Sequence, residues 1–483
     1  MSSHISKNIF WLTASRVLAL LMLFLAYRAL LPYFGPFGTG QYFYIQSYVL
    51  LFSTVVDFGI QQFITKKISE QPERTKEYFQ KFFSFEIVVA CVLYVLLVGI
   101  ASVRHYDHAV FFGICVAGLG MFTNALTYPY LAVMAAFQDM RKVAWMNFLN
   151  SCVNFSLIMA TVLLRRYIVF LSSVTFVFGV LDLILYWHFV KKHIPKPEVL
   201  KGLKLFDFHL ITDILKQAWP FTLLVGFSAI YNRVDVVIIT LMKGYTQTGL
   251  YTTAYRIFDL LNFFPAVVSY TLFPFFTGLM AKRAILEVRA NLEKYVSLML
   301  ALALPMAVGG MILSAPLIGL LTSHDPRYAY SAVVLSILIW APAIQFIYIP
   351  ANSLVISQLT KQAMAITGAN VVINVVGNLI LIPHFGIRAA AFMTVVSESL
   401  QGIFYFYFIR RGITNFKFFS LAFKPALAAF LMGLILWPLR SHNLFLTLPL
   451  GALVYFIILI ATGFIKKDDW NFIKSFLAGK QAA

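Results

Sequence analysis

Acidic residues are scarce in this sequence, 19 Asp and Glu against 38 Lys and Arg, and charged residues of both signs fill only 12% of its 483 positions. Soluble domains carry about twice that share of charge, so a soluble globular protein is excluded. Cysteine is scarcer still. Cys91, Cys115 and Cys152 all fall inside apolar runs, where a thiol behaves as a small buried hydrophobe. That excludes a disulfide framework and a cysteine-based metal cluster, and no metal site is read.

What is abundant is apolar. Hydrophobic residues make up 60% of the chain and the mean hydropathy is +0.82. They are spread along the whole length, so membrane spans must form most of the fold. Segments near the required ~20 residues run at 10–31, 42–64, 82–103, 109–134, 143–164, 167–190, 217–241, 249–273, 295–321, 329–352, 363–382, 389–409, 421–439 and 443–465. The stretch after Lys7 shows no small-residue cleavage site and is read as a retained first span. The thirteenth span is the shortest, because Lys424 near its start must snorkel to the interface. The basic excess reports topology rather than nucleic acid. With fourteen spans, Lys and Arg collect on the N-terminus and on every second connection, and only Arg104, Arg165, Arg166, Lys243, Arg327, Arg388 and Arg440 fall between spans on the other side. Both termini are therefore expected in the cytoplasm. The outward connections are short, residues 32–41 carry no charge, and the acids on these connections are Asp107 and Asp325. Paired acid–base chemistry has little to work with there, and the chain is read as not an enzyme.

The connection 191–216 is the longest and most basic. Its Leu, Phe and Ile among lysines suit an amphipathic helix at the cytoplasmic interface, with a solvated linker as the alternative for its proline-containing start. It separates six spans from the rest. One shift of the sequence onto itself places Gln138 on Gln358, Asn150 on Asn370 and Asn154 on Asn374; a second pairs Gly40 and Tyr42 with Gly249 and Tyr251. The expectation is an all-α integral membrane protein of about fourteen helices. An N-lobe at 1–190 and a C-lobe at 217–411 form two pseudo-symmetric six-helix lobes of parallel topology, joined by the linker 191–216. Residues 412–483 add two further helices and a cytoplasmic tail.

Ionisable groups inside spans are costly and tend to face a bundle interior or a wet cavity. Arg16 and Arg28 lie in the first span, Asp57 in the second, Arg233 and Asp235 in the seventh, and Arg256 and Asp259 in the eighth. Arg256 and Asp259, three apart, share a helix face and can pair, whereas Arg233 and Asp235, two apart, cannot; Asn232 is expected on the Asp235 side. Four arginines against three aspartates leave a basic interior that suits an anion, and guanidinium forks match phosphate oxygens. For each arginine an interhelical salt bridge or a snorkelling side chain is the competing reading. The lone Glu86, Asp182 and Glu398 read as structural or interfacial, with proton sites as the alternative. Asn150, Asn154, Asn370 and Asn374 read as helix-packing amides, with sugar contact as the alternative. Pro220, Pro265, Pro274 and Pro305 are candidate bending points.

Three stretches carry a resemblance: GTGQYFYIQSYVLLFSTVVDFG from Gly38 to Gly59, WPFTLLVGFSAIYNRVDVVII from Trp219, and GLYTTAYRIFDLLNFFPAVVSYTLFP from Gly249 to Pro274. In these the chain resembles the polysaccharide transporter family of Wzx-type O-antigen and repeat-unit flippases. That family lies in the MOP superfamily with the MATE exporters and the lipid II flippase MurJ. The resemblance implies two lobes around a cavity lined by the first, second, seventh and eighth helices. It implies alternating access for undecaprenyl-diphosphate-linked oligosaccharide in a bacterial or archaeal cytoplasmic membrane, and a lateral groove at the last two helices for the lipid tail. Arg28, Arg233, Arg256 and Arg16 would then meet the diphosphate, and Asp57, Asp235 and Asp259 would tune it or serve a coupling ion, H+ or Na+; no cofactor is expected. Expected partners are the lipid-linked oligosaccharide, membrane lipids and other polysaccharide-assembly membrane proteins, and no nucleic acid. A lipid II flippase, a MATE-like ion-coupled drug exporter and, from another class, a membrane glycosyltransferase or polymerase stay open as alternatives.

Overall fold

The computed structural model describes residues 2–57, 60–137, 140–190 and 208–464, without the side chains of 1–17, 57, 62, 140–141, 144, 208–225, 229, 263–264, 266–267 and 270–271. Residues 191–207 of the basic linker 191–216 and the side chains of Arg16 and Asp57 lie outside the described residues, and residues 208–216 belong to the helix that begins at Phe208. The described chain is helical apart from short connections, with no strand among the described residues. Its α-helices are α1 (Ser2–Asp57), α2 (Ile60–Glu70), α3 (Thr75–Val103), α4 (His108–Gly118), α5 (Gly120–Ala136), α6 (Met140–Leu163), α7 (Ile168–Val190) and α8 (Phe208–Leu261). There follow α9 (Phe263–Ala281), α10 (Ile285–Ile312), α11 (Ser314–Leu321), α12 (Ala329–Leu338), α13 (Trp340–Gln358), α14 (Thr360–Phe385), α15 (Ile387–Gly412), α16 (Phe418–Leu439) and α17 (Leu444–Ala461).

Among the described residues, eleven segments are long and apolar enough to cross a membrane. Each corresponds to one of the expected spans, with two exceptions. The segment Leu18–Val56 in α1 joins the first two expected spans, and the seventh and eighth, carried by α8 and α9, are not among the eleven. The joining has a local cause. Inside α1, Gly35 takes φ 63° and ψ 178°, and inside α8, Gly244 takes φ 79° and ψ 177°. Such left-handed backbone is open to glycine and strained for other residues. Each single residue therefore turns the chain while helix continues on both sides. Residues 32–41, expected as an outer loop, are helical around this kink, and Thr39 within them is buried. Among the prolines expected as bending points, Pro274 and Pro305 lie inside α9 and α10, which continue as helix through them. The non-helical residues sit at the two glycines instead.

The chain divides into two compact units, Met1–Gly249 and Leu250–Ala483. In the first, α1 packs along α6, and α7 lies against α4 and α5. One apolar cluster gathers Ile64, Phe79, Phe82, Tyr130 and Met146, and another gathers Tyr44, Ile45, Ile114 and Met121. Close approach uses small residues, as between membrane helices generally: Gly113 lies under Ile45 and Gly179 against Thr123. In the second unit, α13 packs against α9, α10 and α15, and α16 and α17 lie on α10 through Ala428, Met432, Tyr455 and Leu459. Outward side chains such as Phe419, Phe423, Phe430, Leu446 and Ile460 are largely exposed, as a lipid-facing surface requires. On the turn before α12, Asp325 caps the Arg327 backbone N–H and accepts the Arg327 side chain at 2.7 Å. That hydrogen bond holds its carboxyl below the usual carboxylate range.

Candidate functional site

The two glycine kinks bring α1 and α8 together. A Cβ built on Gly40 would overlap the Tyr245 carbonyl oxygen and come within 2.9 Å of Gly249 N, and one built on Gly249 would overlap the Pro36 carbonyl oxygen and come within 3.0 Å of Gly40 N. The contact is reciprocal: glycine against glycine, and each against the carbonyl four residues before the other. Gly35 and Gly244 stand at the same spacing in sequence as Gly40 and Gly249, so the second sequence echo marks two equivalent kinks that cross face to face. Thr39 and Thr248, also equivalent, are both buried, and Thr248 shares a hydroxyl hydrogen bond of 2.8 Å with Thr240. Beside the crossing, Tyr44 and Phe37 each meet Tyr245 edge to face, at 5.9 and 5.7 Å, and the Tyr44 and Tyr106 hydroxyls bond to each other. This tyrosine cluster was not singled out from the sequence, because aromatic residues recur throughout the spans. The glycines were legible only as an echo.

The charged side chains of the same helices fall in both units. In the first, Arg28 and Arg233 are partly buried, and Asp235 is 2% exposed with its Oδ1 accepting the Val236 N–H at 2.8 Å. Asn232, expected on the Asp235 side, is exposed and donates to the Ser228 carbonyl one turn back at 2.6 Å. A side-chain amide that satisfies its own helix in this way has no need to turn inward. In the second unit, Arg256 and Asp259 form the expected pair, Nη1 to Oδ2 at 3.0 Å, with the arginine 10% and the aspartate 31% exposed.

The asparagines join neighbouring helices. Asn150 on α6 donates to Asp182 on α7 at 2.6 Å, and Asn370 on α14 donates to Gln401 on α15 at 2.6 Å. Asn374 donates to Ser397 at 3.0 Å and accepts from Asn378 at 3.0 Å, while Asn154 is partly buried. Glu398, fully buried on α15, accepts Gln345 Nε2 at 2.8 Å and the Tyr348 hydroxyl at 2.5 Å, tying α13 to α15. Interhelical amide bonds inside membranes contribute on average ~0.6 and at most ~1.7 kcal/mol. Asn374→Ala is therefore expected to lower stability by about that range, read as an earlier thermal transition of the purified protein in detergent; an unchanged transition would remove the amide from the packing. Among the described residues no group of three or more His, Cys, Asp or Glu is placed to hold a metal ion.

Comparison with known proteins gives a consistent picture. A family model described as "Polysaccharide biosynthesis protein" matches residues 5–280. Two curated proteins of Haloferax volcanii are similar in sequence. "Probable flippase AglR" is 22% identical over 237 residues, 48% of this chain and 48% of the relative. "Probable low-salt glycan biosynthesis flippase Agl15" is 23% identical over 234 residues, 47% of this chain and 49% of the relative. The chain thus spans about half the length of the curated relatives it matches. Among solved structures, the fold is similar to the lipid II flippase MurJ in an inward closed conformation, with a TM-score of 0.77 at 15% identity over 92% of this chain and 97% of that one. It is also similar to an inward-facing multidrug resistance MATE family transporter of the MOP superfamily, with a TM-score of 0.64 at 15% identity over 82% and 94%. At such identity the likeness is one of fold.

Proposed function

The chain belongs to the polysaccharide biosynthesis protein family, and from that premise we propose that it is a flippase carrying a lipid-linked oligosaccharide with a diphosphate headgroup across a cytoplasmic membrane by alternating access, with both termini cytoplasmic. The observation that carries this reading is the placement of Arg28, Arg233 and Arg256 within the two helices that kink at equivalent glycines, α1 and α8. A guanidinium keeps its charge in a low-dielectric site and matches phosphate oxygens with a planar fork. Helices that both bend and carry such groups can hold a diphosphate headgroup while the path around it changes. The names of the sequence relatives, both flippases, support the same class. An exporter of cationic drugs would call for an acidic path, and the arginines speak against it.

The test is reconstitution. Purified protein in liposomes should move an undecaprenyl-diphosphate-linked oligosaccharide from one leaflet to the other, read by protection of the glycan from an added glycosidase. Lipid II and a cationic dye serve as competing cargoes. Translocation of lipid II in place of the oligosaccharide would move the reading to the neighbouring class of lipid diphosphate, and translocation of the dye alone would overturn it.

A further inference from the structure

The bond between Asn150 and Asp182 has a counterpart that differs from it in one chemical respect. In the second unit the equivalent asparagine, Asn370, donates over the same 2.6 Å to a glutamine, Gln401, on the following helix. In the first unit Asn150 donates to a carboxyl. An amide pair cannot titrate, whereas an amide–acid pair can. One repeat thus fixes its two consecutive helices by a permanent bond, and the other fixes them by a bond whose acceptor gains and loses a proton.

The surroundings of Asp182 suit that role. Among the described residues its one hydrogen bond is the one from Asn150. Helices α1, α4, α5 and α6 pack on α7, and the ionisable side chains described on them include Arg28, His108, Tyr128, Tyr130 and Lys142, with Tyr186 one turn beyond Asp182 on α7 itself. Lys142 is taken up over the Phe189 ring at 5.9 Å, and Tyr130 is buried against Phe79. Arg28 lies at another depth. The Tyr33 hydroxyl bonds the Arg166 carbonyl, which sets the kinked end of α1 level with the start of α7. From that level Arg28 is five residues away, about 8 Å, and Asp182 is fourteen residues down α7, about 21 Å, at 1.5 Å per residue. His108 opens α4 in the turn whose Tyr106 bonds Tyr44, on the kinked side of α1 as well. A carboxylate within a span costs ~2.5–3.5 kcal/mol on the insertion scale, and a single neutral donor offsets only part of that.

We infer that Asp182 is a proton-binding site of the first unit, held by Asn150, whose protonation sets the closure of α6 on α7 while the matching pair in the second unit stays fixed by Asn370 and Gln401. As a coupling site this rests on the transport reading above; as a protonation site it stands without it. The step is a proton transfer alone: an O–H bond forms on the carboxylate as one breaks in hydronium, and the reverse returns the proton to water.

The experiment separates the two. Infrared difference spectra of the reconstituted protein between acid and alkaline buffer should contain a carboxylic C=O band that Asp182→Asn removes and Asp182→Glu restores at a shifted frequency. Transport by Asp182→Asn should lose its pH dependence, while the change Gln401→Glu should add a second titrating band. Asparagine at 182 can still accept from Asn150, so the helix pair is retained, and an unshifted thermal transition checks this. An Asp182→Asn spectrum identical to wild type overturns the proton site. A band that is lost as expected, with no lipid-linked cargo moved by the wild-type protein, keeps the site and removes the flippase reading.

Discussion

Gly40→Ala and Gly249→Ala are each expected to open the crossing of α1 on α8, and to do so in proteins that still insert and fold. The added methyl at either position meets a backbone carbonyl oxygen, of Tyr245 in one case and Pro36 in the other. A flexible neighbour could swing aside; a carbonyl inside a helix moves only with its helix. Overpacking of this kind costs ~1–3 kcal/mol, which shifts an equilibrium between a closed and a parted crossing by roughly five- to 150-fold at 1.4 kcal/mol per decade. Thr39, buried beside Gly40, supplies the readout: a cysteine placed there should react slowly with a soluble thiol reagent in the parent and at least tenfold faster in either alanine variant. Gly226, with nothing within 4 Å of an added Cβ, is the control, and Gly226→Ala should leave the rate unchanged. An alternating-access cycle in which the crossing closes and parts once per turnover predicts that both variants also lose most of their transport. Equal labelling rates in all of these proteins would show that the crossing accommodates a methyl group and forms no tight seal.

These same glycines mark what the sequence reveals and what it hides. The all-helical membrane fold is legible because each ~20-residue apolar run satisfies its own backbone in lipid, though eleven candidate spans rather than fourteen are found among the described residues, and the pairing of Arg256 with Asp259 follows from their three-residue spacing. The direction in which the chain turns between two such runs is set by one backbone conformation, and neither Gly35 nor Gly244 differs in composition from any other glycine in the chain. Prolines attracted the bending role because their steric conflict is written in their chemistry, yet α9 and α10 absorb Pro274 and Pro305 without leaving the helix. The asparagine echo was legible as a repeat, but the partners of its members were not. Asp182 and Gln401 share no residue type and stand one residue out of the register that pairs Asn150 with Asn370, so only the bonds themselves set them in corresponding places. Asn232 adds a bond that spacing does not disclose, its amide turning back to its own helix.

Arg256→Gln is expected to reduce capture of a diphosphate headgroup by about ten- to a hundredfold, the equivalent of losing one charged hydrogen bond of ~1.5–3 kcal/mol. The difficulty is that Arg256 already has a partner. Its Nη1 lies 3.0 Å from Asp259 Oδ2, and breaking a buried ion pair from one side destabilises a protein by ~3–5 kcal/mol, so a loss of transport alone would not separate a ligand role from a structural one. Three further variants do. Arg256→Lys keeps the charge but not the planar fork, and should restore folding more fully than transport. Asp259→Asn relieves the arginine of its competing anion, and should tighten binding of a soluble diphosphate competitor, a gain that a loss of stability from breaking the same pair cannot produce. The exchange of the two residues, Arg256→Asp with Asp259→Arg, rebuilds the pair with its charge displaced by one turn. It should recover the thermal transition of the parent without recovering transport, because the guanidinium then sits about 4.5 Å further along α8 at 1.5 Å per residue. An exchanged protein that carries its cargo at the parental rate would assign the pair to packing alone, and leave Arg28 and Arg233 as the cations on which headgroup recognition depends.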